Sequence, residues 1–128
     1  MKNILVDTQI FLWAISDDRR LSKPHREAYL DAGHELYLSV ASVWEMLIKK
    51  GIGKLPLPAP AVEYITSQMR KNRLKPLPIR IPHLKELETL PALHRDPFDR
   101  MLVAQARAEA MPILSADPLL KAYNVSIL

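Results

Sequence analysis

Asp7, Glu45, Asp99 and Asp117 are the residues on which chemistry could rest. Asp7 follows the apolar run "NILV" (3–6), and Glu45 lies within "VASVWEMLIKKG" (40–51). Asp99 sits in "HRDPFDRMLVAQARAEA" (94–110), and Asp117 follows "ILS". Taken one at a time, each has an ordinary structural role. Asp7 suits a helix N-cap, as does Asp117 with Pro118 behind it. Glu45 can pair with Lys49 at i,i+4, worth about 0.2–0.5 kcal/mol. Asp96 caps a helix whose first residue is Pro97, and Asp99 takes the acidic place of a capping box. Yet Asp99 also heads a stripe of Leu102, Val103 and Ala106, at i+3, i+4 and i+7. A carboxylate aimed at buried surface is costly unless it is paired or bound to metal. Four converging carboxylates repel one another, so some pKa values rise or a cation is recruited. All-oxygen ligands suit Mg²⁺ or Mn²⁺ rather than Zn²⁺ or Cu²⁺. The chemistry of such a set is metal-assisted hydrolysis of a phosphodiester.

The elements that would position these acids alternate. "NILV" reads as a buried strand and "QIFLWAIS" (9–16) as a helix. "LSKPHREAYLDAG" (21–33) is a short helix closed by Gly33, and "ELYLS" (35–39) is a second strand. The helix 40–51 should bury Val40, Val43, Trp44, Leu47 and Ile48 and end at Gly51. A proline-stiffened loop (52–60) leads to an amphipathic helix (61–73). "LKPLPI" (74–79) is a strand confined to a sheet edge by Pro76 and Pro78. Helices follow at 82–90 and after Asp96, then strands at 112–116 and 125–128 around "DPLLKAY". Alternation of this kind predicts an α/β domain with a mostly parallel sheet covered on both faces. Reactive groups then gather beyond the carboxyl ends of the strands. Asp7, Asp99 and Asp117 belong to that rim, and Glu45 lies one and a half turns into a helix that leaves it.

Composition excludes several classes. The 128 residues suffice for one core, with 48% hydrophobic and 25% charged residues. The chain contains no cysteine, which excludes a disulfide scaffold, a thiolate zinc site and a cysteine nucleophile. "MKNILVDTQ" has too short an apolar run for a signal peptide, and no run approaches a membrane span, so a cytoplasmic protein is expected. The formal net charge of +4 permits a polyanionic partner. There is no GxSxG elbow, no glycine-rich phosphate loop and no HExxH spacing.

The segments "ILVDTQIFLWA", "LSVASVWEMLIK", "LPALHRDPFDRMLVAQA" and "ILSAD" together resemble the PIN domain, most closely the VapC-type ribonuclease toxins. The resemblance spans nearly the whole chain in the expected order. It implies a single PIN domain over residues 1–128, a three-layer α/β sandwich with a mostly parallel central sheet and strand order 3-2-1-4-5. It also implies endoribonuclease activity with Mg²⁺ or Mn²⁺, homodimers and a cognate antitoxin. By position, the catalytic and metal-binding acids fall on Asp7, Glu45, Asp99 and Asp117. Thr8 and Ser115 match flanking hydroxyl positions, and Asp96 a subfamily variant of the motif. On this reading Asp99→Asn abolishes Mn²⁺-dependent cleavage and leaves the fold, whereas Asp96→Asn acts mainly on stability.

Basic clusters at "DDRR" (17–20), "KKGIGK" (49–54) and "RKNRLK" (70–75) are either a solvated face or phosphate contacts. Lys49, Lys50 and Arg100 are the candidates for RNA. Helix 9–16 is apolar almost all round, so its second side should meet a neighbouring helix or a partner's amphipathic helix. His94, close in sequence to Asp96 and Asp99, could meet substrate, although unpaired histidines are usually incidental. Two rivals share the pattern. One is an acidic-pocket phosphatase, whose second carboxylate would stand where the chain has Gln9. The other is a non-catalytic module that binds RNA or protein.

Overall fold

The computed structural model describes residues 2–93 and 95–128. His94 therefore lies outside the described residues. The chain opens with β1 (Lys2–Val6), α1 (Thr8–Ile15), α2 (Lys23–Leu30) and β2 (His34–Ser39). It continues through α3 (Val40–Gly51), α4 (Ala61–Lys71), β3 (Leu74–Leu77), α5 (Ile81–Thr89) and α6 (Pro97–Glu109). Then come the short β4 (Ile113–Leu114) and a 3₁₀ turn (Pro118–Ala122). The sheet order is β3-β2-β1-β4, and every pairing is parallel.

Alternation along β1 explains the two cores. Ile4 and Val6 point to one face, where they pack with Ile10, Phe11, Leu36, Leu38, Met46 and Ile65. Leu5 points to the other, against Leu102, Val103, Ala106 and Ile113. The sheet is thus buried on both sides, as the run of apolar strand residues predicts. β3 is the edge strand despite Pro76, which an edge tolerates.

Four details depart from the expectations above. The fifth strand is reduced to an isolated parallel bridge between Ile113 and Ile127. Helix α2 stops at Leu30 with Asp31 as its C-cap, before Gly33. Helix α3 includes Gly51, and the positive φ that its exit needs falls on Gly53 (φ 76°). The fourth bears on function: α3 buries Ala41, Ser42, Glu45 and Met46, while Val40, Ile48 and Trp44 are exposed, Trp44 by 58%. Ser42 and Glu45 on the buried face both bond Thr8 at the start of α1, so Glu45 is turned inward and Trp44 out. Trp44 then meets Phe98 edge-on, with ring centroids 5.2 Å apart.

Ala110 ends α6 in the left-handed region at φ 54°. A Cβ is disfavoured there, and glycine removes the clash. Ala110→Gly is expected to stabilise the protein by about 1 kcal/mol, read as a rise in thermal midpoint. A fall would show that the native turn is not strained.

Candidate active site

Because the strands are parallel, their carboxyl ends share one rim. β1 delivers Asp7 there, β4 delivers Ser115 and Asp117, and β2 feeds α3 with Glu45. Helix α6 runs against the strands, so its first turn, with Asp96 and Asp99, begins at the same rim. An open cavity of about 300 Å³ is lined by Asp7, Thr8, Glu45, Asp96, Asp99 and Asp117, together with Gln9, Trp13, Lys49 and Ala116.

Asp7, Asp117, Glu45 and Asp96 are held by their neighbours. Asp7 is 6% exposed and caps α1: Oδ1 accepts from Ile10 N–H at 2.8 Å and Oδ2 accepts from the Ser115 hydroxyl. Ser115 Oγ in turn accepts from Asp117 N–H at 3.0 Å, which links two of the acids through one hydroxyl. Asp117 caps the 3₁₀ turn, accepting from Leu119 N–H at 2.9 Å. The Thr8 hydroxyl donates to Glu45 Oε1 at 2.8 Å and shares a 2.8 Å hydrogen bond with Ser42. Glu45 is 6% exposed, and its Oε2 meets Lys49 Nζ at 2.9 Å. Asp96 caps α6, accepting from Phe98 N–H at 2.8 Å and Asp99 N–H at 3.2 Å.

The electrostatics are those of crowded carboxylates. Burial pushes the Asp7 carboxyl above the usual carboxylate range, the Ser115 and Ile10 hydrogen bonds oppose it, and the charges of Asp117 and Glu45 push it further up. Lys49 is held above the usual lysine range by its hydrogen bond to Glu45, with smaller contributions from Asp96 and Asp99. Its ammonium is therefore a built-in counter-ion for the acidic wall.

A sequence model of the PIN domain family matches residues 4–125. The chain belongs to the PIN domain family. Ribonuclease VapC16 of Mycobacterium tuberculosis is 38% identical to it over 53 residues, which are 41% of this chain and 38% of that protein. The match thus spans about two-fifths of the curated relative's length. Among solved structures, VapBC2 from Rickettsia felis, bound to a DNA fragment from their promoter, contains a similar chain. It has a TM-score of 0.75 and 15% identity, covering 98% of this chain and 97% of that one. FitAcB from Neisseria gonorrhoeae gives a TM-score of 0.64 at 18% identity, covering 98% and 96%. At these identities the structural likeness establishes the PIN fold.

Within that PIN fold, the expected acids Asp7, Glu45, Asp99 and Asp117, with Asp96 and Thr8, border one hollow. Ser115 stands behind it, bonded to Asp7. Lys49 borders it too, whereas Lys50 and Arg100 do not. Arg100 donates instead to the Pro91 carbonyl at 2.9 Å and ties down the segment before α6. Sequence reasoning missed Ser42, Gln9 and Trp13. Ser42 was legible in principle, as a small polar residue three positions before Glu45 on one helix face. Among the described residues, no helix is long and apolar enough to cross a membrane.

Proposed function

We propose that this PIN domain is a metal-dependent endoribonuclease, the toxin of a VapBC-type pair, with Asp7, Glu45, Asp99 and Asp117 as its metal-holding and catalytic acids. The observation that carries the reading is the convergence of these acids on one cavity, where burial and like charge disfavour ionisation of Asp7. The donor set is all oxygen and carries excess negative charge, which fits Mg²⁺ or Mn²⁺. Among the described residues no three His, Asp or Glu side chains already form a group arranged to hold a metal. Side-chain adjustment within the cavity would accompany binding. A divalent ion there supplies activation of water and offsets charge on the phosphoryl group. The chain's own part is positioning. Ser115 and Ile10 fix both oxygens of Asp7, and Thr8 and Ser42 orient Glu45. Asp96 fixes the turn that presents Asp99.

The test uses the purified chain, RNA and a small phosphate ester, with Mn²⁺, Mg²⁺ or EDTA. RNA cleavage that needs the ion, without ester hydrolysis, is expected. No cleavage of any RNA, or equal activity in EDTA, would overturn the reading.

Lys49 gives a second expectation. It occupies Glu45 Oε2 at 2.9 Å, so it competes with an added cation. Lys49→Met should bind Mn²⁺ several-fold more tightly in a calorimetric titration, and weaker binding would count against Glu45 as a ligand.

We also treat residues 1–128 as one domain acting in the cytoplasm, as a homodimer with a cognate antitoxin. Two surfaces support the partners. The outer side of α1 leaves Leu12, Trp13 and Ile15 only partly buried, so the chain does not fully cover it. A partner helix seated there would block the cavity's edge. Val40, Trp44, Ile48 and Ile52 form an exposed apolar row at i,i+4 spacing, suited to a second copy. Trp44→Glu should shift sedimentation from dimer to monomer, and an unchanged dimer would remove α3 from the interface.

A further inference from the structure

A second groove, of about 430 Å³, runs along the outer side of α1 to the loop before α4. Its walls include Trp13, Leu57 and Tyr64, and its cations are Arg20, Lys49 and Lys54. Gln9, Trp13 and Lys49 line both this groove and the acidic cavity, so the two adjoin. The Arg20 guanidinium lies over the Trp13 ring, 5.4 Å from its centroid. Asp18 locks it there: Arg20 Nε donates to Oδ1 and Oδ2 at 3.1 and 3.2 Å, and Nη2 donates to Oδ2 at 2.7 Å. Asp18 also accepts from Arg20 N–H at 2.9 Å. This hydrogen bonding holds the Asp18 carboxyl down at about 2, so the clamp persists across ordinary pH.

The clamp has a chemical consequence. With its charge offset by Asp18, Arg20 serves less as a phosphate anchor than as a flat, oriented plane beside an indole. Trp13 is partly buried against the core, which holds part of the ring by packing. The Trp13 Nε1 donor is buried without a hydrogen-bond partner among the described residues, a cost that a phenyl ring avoids. What the indole adds is a larger π face and a stronger cation–π contact. Arginine planes and aromatic rings are the surfaces on which unpaired RNA bases stack. Lys49 is engaged with Glu45, and Lys54 supplies positive charge along the same groove that complements a phosphate backbone.

We propose that Trp13 and Arg20 form a preorganised shelf for the base next to the scissile phosphate, so that the α1 groove positions the RNA strand. The proposal rests on the ribonuclease reading above. A nucleotide whose phosphate enters the acidic cavity has its neighbour beside Trp13, because the two spaces share that residue. Trp13 and Arg20 are positioning residues; the reacting atoms lie among the acids.

The test first maps the cut in an RNA oligonucleotide by sequencing the ends that the wild-type chain produces. The chain has two tryptophans, so Trp44→Phe with Asp7→Asn leaves Trp13 as the sole reporter in a non-cleaving protein. The intact oligonucleotide should quench Trp13 fluorescence. Replacing the base on one side of the cut with an abasic residue should lose the quench and weaken binding roughly tenfold. In the wild-type background Trp13→Ala should raise KM by a similar factor with kcat nearly unchanged, and Trp13→Phe should recover most of it. If abasic residues on either side bind and quench like the intact strand, the shelf is refuted while ribonuclease activity stands. The shelf is equally refuted if Trp13→Ala leaves KM unchanged, whether or not it weakens capture of a co-expressed antitoxin on the same side of α1. Absence of any RNA cleavage by the wild type removes the ribonuclease reading, and this inference with it.

Discussion

Asp7→Asn is expected to silence RNA cleavage and, in the metal-free protein, to raise stability. The two effects have one cause. Asp7 is buried at the carboxyl end of β1, and its charge is disfavoured by burial first and by Asp117 and Glu45 after it. A divalent ion supplies several kcal/mol of charge stabilisation to a phosphoryl transition state, so losing a central ligand should cost on the order of 10³-fold in rate. Asparagine is nearly isosteric and keeps an oxygen for Ile10 N–H, which is the capping bond of α1. It carries no charge, so the repulsion disappears. The gain should be on the order of 1 kcal/mol.

The pH dependence gives the sign. The folded-state pKa of Asp7 lies above its unfolded value, so the folded chain holds the proton longer. Below the ordinary carboxylate range both states are protonated, and wild type and variant should be equally stable on this account. As pH rises through the folded pKa the wild type must accept a buried charge and loses stability relative to Asp7→Asn. Thermal melts in EDTA across acid to neutral pH should therefore diverge upward in favour of the variant. Added Mn²⁺ should close the gap, because it stabilises the wild type by binding. A variant that melts lower at neutral pH in EDTA would mean that the Ser115 bond outweighs the repulsion.

The fold was readable in the sequence because its strong signals are local. "NILV" and "ELYLS" are apolar runs bounded by capping residues, and Asp96-Pro97 marks a helix start within one residue of where α6 begins. The face of α3 was only partly readable, since Val43 and Leu47 do pack against the core. Its most hydrophobic side, Val40, Trp44 and Ile48, is exposed, and the buried side is Ala41, Ser42, Glu45 and Met46. Hydrophobic periodicity assigns the larger apolar residues to the core, but here the buried face carries the Ser42 and Glu45 bonds to Thr8. The fifth strand shrank for a reason of its own. Residues 125–128 have the composition of a strand, but β4 offers only Ile113 and Leu114 as a template. The acids of the cavity were legible as a set, since each follows a strand or belongs to a helix that starts at the rim. Their bonding was not: the Ser115 link between Asp7 and Asp117 joins residues 108 positions apart in the chain.

The paired substitutions Asp99→Asn and Asp96→Ala separate chemistry from capping within a single turn. Asp96 takes two backbone N–H groups at the head of α6, so alanine should cost about 1 kcal/mol of stability. Asp96→Asn, expected from the sequence to act on stability, should instead change little, because asparagine caps nearly as well as aspartate. Asp99 sits at the third position of α6, above Leu102, Val103 and Ala106, all nearly fully buried. Its charge gains from the helix dipole, worth about 0.3–1 kcal/mol, and Asp99→Asn gives that gain up. Its effect on cleavage should match that of Asp7→Asn, on the order of 10³-fold, if both carboxylates hold the same ion. The double variant Asp7→Asn/Asp99→Asn should then be little worse than either single one, because residues acting as a unit are not additive. Rates measured on a mapped RNA site, beside denaturant melts, give both axes. If Asp99→Asn cleaves within tenfold of the wild type, or if the two losses multiply, the acids do not share one centre.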